Sequence, residues 1–230
     1  MTPSKAASEV LGPMDDATRA LMGLWDVASE NVRALGAEDW ARPLPGAGVG
    51  PADVAELAIH LTGVHYAGPE TLREAVAAAR HRAETQLAGR TSGDPVLGAQ
   101  CLDMCLHVHD LTSALGTPAD LRDHEAAARE ACRLVLRVLP RLLVAAVGAD
   151  DATLRVAVRL GDDRAVHVTH GTVVPGRPED AADAVEIDPG GLLLLLAGRR
   201  DAESLRDAGA LSWTGPAAEA FVHRARLVAA

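Results

Sequence analysis

The chain has 230 residues, of which 48% are hydrophobic and 23% are charged, so it can bury a core and is not a disordered or fibrous protein. Its formal net charge of −10 argues against a nucleic-acid-binding protein, because such proteins need a cationic surface. Aromatic residues make up only 2% of the chain, so the core must be built from Leu, Val and Ala. We expect a globular protein whose partner is a small-molecule substrate.

The sequence shows no export signal and no membrane anchor. The start of the chain lacks a basic stretch followed by an apolar run, and the longest apolar stretch, Leu192 to Ala197, is too short to cross a bilayer. The three cysteines, Cys101, Cys105 and Cys132, cannot form a fully paired set, which favours free thiols in a reducing compartment. We therefore predict a cytoplasmic protein without membrane contact, as a monomer or a homodimer.

The first 150 residues show the hydrophobic periodicity of helices. Amphipathic helices are predicted over residues 15–35, 51–67, 69–87, 94–116 and 119–147. Pro140 should kink or split the last of these helices, and the Pro- and Gly-rich residues 41–50 should form a loop. Short connections between long amphipathic helices favour an antiparallel bundle, so we predict a helical domain over residues 1–150.

From residue 151 the hydrophobic pattern alternates, as it does in strands. Strands are predicted over residues 154–160, 166–168, 183–187 and 211–213, with a hairpin turn at 161–163, a buried helix over 190–196 and a closing helix over 216–227. The predicted fold class is therefore α+β, with a four-helix bundle followed by a small α+β domain over residues 151–230.

Three side chains on the second and fourth predicted helices have the spacing of an open metal site. At about 100° per residue, His60 lies on the apolar face of its helix, and Asp103 and His107 project from one face of theirs. Two imidazoles and a carboxylate would leave the fourth position of a zinc ion for water or substrate. Asp110 lies on the same stripe and could orient an imidazole, whereas His109 lies off it. The same pattern is also typical of a hydrogen-bonded core histidine beside a solvated ion pair, so the spacing leaves both interpretations open.

Two arginines follow the predicted buried helix at its C-terminal end. Arg199 and Arg200 are favourable there as solvated charges near the negative end of the helix dipole. They could equally form an anion clamp, because a guanidinium binds a carboxylate through two hydrogen bonds. Tyr66 and Cys132 are interpreted as packing residues.

Three segments, in order along nearly the whole chain, carry the motifs of a known family. Residues 53–61 resemble its His-Leu helix, residues 101–116 resemble its E-xxx-H-xx-D-L-xxx-L-G helix, and residues 183–200 resemble its C-terminal leucine run followed by Gly-Arg. Trp40 matches a recurrent tryptophan. In combination these motifs resemble the mycothiol-dependent maleylpyruvate isomerase family, which is DinB-like.

The resemblance implies a DinB-like four-helix bundle and a C-terminal domain related to sterol-carrier folds. It implies a divalent metal, usually zinc, held by His60, Asp103 and His107, and mycothiol as the thiol cosubstrate of an isomerisation or a thiol transfer. In this scheme Asp110 supports the metal ligands and Arg199 binds a substrate carboxylate. Asp103 stands where the family has Glu, the connection from His60 to Asp103 is shorter than in the family, and residues 44–49 lack the usual Gly-Trp pair.

These departures motivate two alternatives. One is a ligand-binding or interaction protein of the same fold in which the metal site is degraded. The other is a metal-free enzyme of a bacterial biosynthetic pathway in which His60 and Asp103 perform acid–base chemistry.

Overall fold

The computed structural model describes residues 15–45, 50–64, 68–147, 154–158, 166–169, 172–175 and 183–227. In this part of the chain the elements are helical up to residue 147, and strands begin at residue 154. The predicted α+β class is therefore confirmed. Tyr66 and the predicted turn at residues 161–163 lie outside the described residues.

The first half of the chain is a set of packed helices. They are α1 (Asp16–Ala34), α2 (Val54–Thr62), α3 (Pro69–Leu87), α4 (Pro95–Ala114), α5 (Glu125–Leu136) and α6 (Leu139–Val147), with 3-10 turns at Asp39–Ala41 and Leu121–His124. Helix α1 packs against α3, α4 and α5, and α4 packs against α5. The short helix α2 lies against α3 and α4, so it brings its side chains next to the middle of the fourth helix.

Helix α2 has clear local reasons for its start and its end. The Asp53 side chain accepts a hydrogen bond from the backbone N–H of Glu56 at 2.9 Å, which satisfies a donor that the first turn leaves unpaired. The helix ends at Gly63, whose φ of 68° is a left-handed conformation that glycine adopts without strain. The prediction that this helix extends to residue 67 is therefore wrong, and His60 lies in its last turn.

The predicted helix over residues 119–147 is divided. A 3-10 turn precedes α5, and the helical axis breaks again at Arg137 and Val138, before α6 begins. Pro140 is the second residue of α6, where its missing N–H removes no helical hydrogen bond. The predicted split near Pro140 is confirmed, whereas the predicted start at residue 119 is wrong.

The described residues of the second half form a five-stranded sheet and three helices. The elements are β1 (Leu154–Val158), β2 (Val166–Thr169), β3 (Thr172–Pro175), β4 (Ala184–Ile187), α7 (Pro189–Leu196), α8 (Ala202–Asp207), β5 (Leu211–Thr214) and α9 (Pro216–Arg224). The strand order is β3-β2-β1-β4-β5, with β1 and β4 parallel and the other pairs antiparallel. The sequence did not predict β3 or α8.

Helix α7 joins the second half to the helical bundle. All of its residues are buried, and it packs mainly against α5 and α4. A Cβ atom on Gly190 would lie 2.7 Å from the Cβ atom of Leu121, so only glycine allows this close approach. The thiol of Cys132 on α5 donates to the carbonyl oxygen of Pro189 at 3.3 Å. Among the described residues, no helix combines the length and the apolar character needed to cross a membrane.

Candidate metal site

His60, Asp103 and His107 converge between α2 and α4. The Oδ1 atom of Asp103 lies 3.7 Å from Nε2 of His60 and 3.2 Å from Nε2 of His107. The centroids of the two imidazole rings are 4.7 Å apart, and the rings meet at 66°. Ligand atoms of the three side chains all lie within 4.8 Å of one another, so the group could hold a metal ion.

These distances fit a small tetrahedral ion. Zinc bonds to nitrogen and oxygen are about 2 Å long, which separates neighbouring ligand atoms by about 3.3 Å. The distances of 3.7 and 3.2 Å from Asp103 to the two imidazoles lie on either side of that value. The short aspartate side chain therefore reaches both histidines, because α2 and α4 are in direct contact here.

One side of the group is accessible to solvent. The side chain of His107 is 11% exposed, whereas those of His60 and Asp103 are 50% and 45% exposed. His60 was predicted to face the bundle interior, but its side chain is half-exposed at the edge of the described helices, where α2 packs against α3, α4 and the first 3-10 turn. The buried imidazole of His107 anchors the group on α4, and the half-exposed side chains of His60 and Asp103 leave room for a ligand to enter from solvent.

The carboxyl group of Asp103 is held in its charged form. Partial burial raises its pKa, but the hydrogen bond from His107 and the nearby charges of His107 and His60 lower it by more. The net result is a pKa below the usual value for an aspartate. Asp103 is thus ionised at neutral pH, as metal binding requires.

The Nδ1 atom of His107 is buried and has no hydrogen-bond partner among the described residues. A metal-bound histidine usually donates its second N–H to a carboxylate or a carbonyl, and the sequence assigned that role to Asp110. The structure gives Asp110 a different partner. When Nε2 of His107 carries the proton and donates to Asp103, Nδ1 is instead an unprotonated acceptor.

Asp110 and Arg199 bind each other. Nε of Arg199 lies 3.1 and 3.2 Å from the two carboxylate oxygens of Asp110, and Nη2 lies 2.9 Å from Oδ2. The remaining nitrogen, Nη1, donates to the carbonyl oxygen of Ala197 at 2.9 Å. This buried pair links α4 to the end of α7. The predicted roles, in which Asp110 orients an imidazole and Arg199 binds a substrate carboxylate, stay predictions, and in this structure the two side chains bind each other.

The cysteines of the chain stay apart from the metal group. Cys101, Cys105 and Cys132 are all buried and unpaired, and burial raises the pKa of each thiol. The odd number of cysteines favoured free thiols, and the structure gives all three as free. No thiolate nucleophile is supplied by these side chains.

We expect the three thiols to be unreactive in the folded protein. An aromatic disulfide reagent should release almost no chromophore from native protein, because only an accessible thiolate attacks it. After unfolding in guanidinium chloride, all three cysteines should react, and absorbance gives the count. Rapid modification of one thiol in the native state would show that the protein has a reactive cysteine of its own.

No family model, curated protein or solved structure matches this chain. Its function must therefore be inferred from its own residues and their geometry.

Proposed function

We propose that this protein is a metal-dependent enzyme that binds zinc through His60, Asp103 and His107. With mycothiol as thiol cosubstrate, it would catalyse an isomerisation or a thiol transfer on a small electrophilic carboxylate. The proposal includes a DinB-like bundle, a sterol-carrier-like second domain and a cytoplasmic location. The observation that carries it is the convergence of two imidazoles and one carboxylate at distances suited to one small cation.

The charge of the site suits an anionic ligand. Two neutral imidazoles and one carboxylate leave a bound divalent cation with a net positive charge, which favours a thiolate in the open position. When bound, zinc lowers the pKa of a coordinated thiol and acts as a Lewis acid. The chain's own contribution is to hold the ligands in place through the buried His107 and to leave the side of His60 and Asp103 accessible.

The thiol in this proposal comes from outside the protein. All three cysteines are buried, and their raised pKa values keep them protonated at neutral pH. A thiol-dependent reaction at this site would therefore need a small thiol cosubstrate that enters from solvent.

A second candidate function is a metal-free acid–base enzyme. It is favoured by the unpartnered Nδ1 of His107, which fits a neutral histidine that donates from Nε2 to Asp103. In this alternative the half-exposed His60 exchanges protons with a substrate, and Asp103 stabilises the protonated imidazole.

Elemental analysis of protein purified without chelator separates the two candidates. The proposal expects near-stoichiometric zinc in the wild type, loss of zinc in His60→Ala, and retention of zinc in His81→Ala. His81 is the matched control because it is 80% exposed on α3, outside the metal group. A parallel assay with maleylpyruvate should show turnover only with both zinc and mycothiol. Protein without zinc, whose activity follows pH but not metal, would contradict the proposal and favour the second candidate.

A further inference from the structure

A cavity of about 460 Å³ lies between the end of α4, the loop over residues 117–122 and the start of α7. Its volume falls in the range of sites for small molecules. None of the metal-group residues lines it. From α4 it is lined by His109 and Ser113, which project about a third of a turn away from Asp103 and His107 at roughly 100° per residue. The cavity and the metal group are therefore separate places on one helix.

Two polar side chains in the cavity wall have unused hydrogen-bonding capacity. His109 is only 6% exposed, and its Nδ1 atom has no partner among the described residues. Within the described part of the chain, the Arg200 side chain donates one hydrogen bond, to the carbonyl oxygen of Ser204 at 2.9 Å. The adjacent Arg199 differs, because all of its nitrogens are bonded to Asp110 and Ala197. Of the two arginines, Arg200 is the one able to bind a ligand.

The carboxylates in the wall already have partners. Asp120 accepts from the Arg122 guanidinium at 2.9 Å, and Asp188 caps α7 by accepting from the N–H of Gly191 at 2.5 Å. Asp120 and Asp188 balance the charges of Arg122 and Arg200, the two arginines of the wall, so the cavity has no excess of positive charge for a multiply charged anion such as phosphate. A singly charged acid needs only the one guanidinium.

The rest of the wall is aliphatic. Leu121, Leu194 and Leu205 line the cavity together with small alanine side chains, and no Phe, Tyr or Trp is among the described residues of the wall. Such a surface suits a flexible alkyl chain better than a flat ring system.

We propose that this cavity binds a small aliphatic monocarboxylate, with the carboxylate on Arg200 and the alkyl chain against Leu121, Leu194 and Leu205. The guanidinium offers two parallel N–H donors to the two carboxylate oxygens. The Ser113 hydroxyl offers a further hydrogen-bond donor from α4. This ligand site does not depend on the proposed metal chemistry, and of the two arginines that the sequence offered as an anion clamp it uses Arg200 alone.

Calorimetric titration with sodium hexanoate tests the proposal on the full chain. Wild-type protein should bind hexanoate at one site per chain, both as purified and after dialysis against EDTA. Arg200→Ala should weaken binding by about tenfold or more, because a charge-assisted pair of hydrogen bonds is lost. Arg206→Ala is the matched control, since its guanidinium lies 4.5 Å from the Trp213 ring, outside the cavity, and it should bind like the wild type.

A second variant tests the proposal independently, in case Arg200→Ala does not fold. Ala208 is exposed at the cavity wall, so Ala208→Leu should fold normally, as circular dichroism can verify, and should narrow the cavity and weaken hexanoate binding. Hexanamide and inorganic phosphate should each bind at least about tenfold more weakly than hexanoate. The proposal is overturned if hexanoate does not bind, if phosphate binds as tightly, or if binding disappears with EDTA. The last result would place the carboxylate on the metal instead.

Discussion

His107→Ala is expected to abolish the stabilisation of the fold by zinc. His107 is the buried ligand of the group, and without it only the two half-exposed side chains of His60 and Asp103 remain. A ligand present at a thousand times its dissociation constant stabilises the native state by about 4 kcal/mol. For a chain of this size such a gain raises the melting temperature by roughly 10 °C. Thermal denaturation with and without zinc should show this shift in the wild type and not in the variant.

For each variant, the melting temperature with zinc is compared with the melting temperature without zinc. The effect of the substitution on packing is present in both measurements, so it cancels in the difference. His81→Ala should keep the full zinc-dependent shift, because this exposed imidazole takes no part in the group. Asp103→Glu tests the short side chain, since a ligand one methylene longer must fit where Asp103 lies 3.2 and 3.7 Å from the two imidazoles. An equal zinc-dependent shift in His107→Ala would refute the metal site.

The second large effect is expected at the ion pair between Asp110 and Arg199. Their side chains are 2% and 15% exposed, so removing either partner leaves a buried charge without compensation. Each single substitution, Asp110→Ala or Arg199→Ala, should destabilise the protein by about 3–5 kcal/mol. The midpoint of guanidinium chloride denaturation measures this loss.

The double variant measures the interaction between Asp110 and Arg199 apart from the contribution that each side chain makes alone. Asp110→Ala combined with Arg199→Ala removes both charges, so it should be less destabilised than the sum of the two single variants. Arg200→Ala is the neighbouring control and should cost only about 1 kcal/mol, because its side chain donates one hydrogen bond to a backbone carbonyl. Additive single effects would mean that Asp110 and Arg199 do not act as a pair.

The part of the metal group on α4 could be predicted because its spacing is local: Asp103 and His107 are one helical turn apart. His60 lies on another helix, and its predicted inward position was wrong, because its side chain is half-exposed. Helix α3 was predicted over residues 69–87, as the structure has it. At these places the local structure is determined by residues that lie close together in the sequence.

The features that the sequence did not predict depend on distant contacts or on short elements. Arg199 is 89 residues from Asp110 in the chain, and no periodicity reveals such a pair. Strand β3 has only four residues, and α8 has six. The sequence does contain a signal for the start of α8, because Asp201 stands three residues before Ser204, the spacing of an N-cap. In the structure Asp201 accepts a hydrogen bond from the backbone N–H of Ser204. The sequence offered Arg200 as a possible anion ligand, but it did not predict the cavity, because residues from both halves of the chain form its wall.

The leucine-rich helix α7 has a consequence for the integrity of the whole chain. Its residues belong by sequence to the second half, yet much of their packing surface is provided by α5 and α4 of the first. Cutting the gene between the two predicted domains would therefore leave a bare hydrophobic face on each fragment. The change in hydrophobic periodicity near residue 150 marks where the architecture changes. The stability of each half nevertheless depends on the other half.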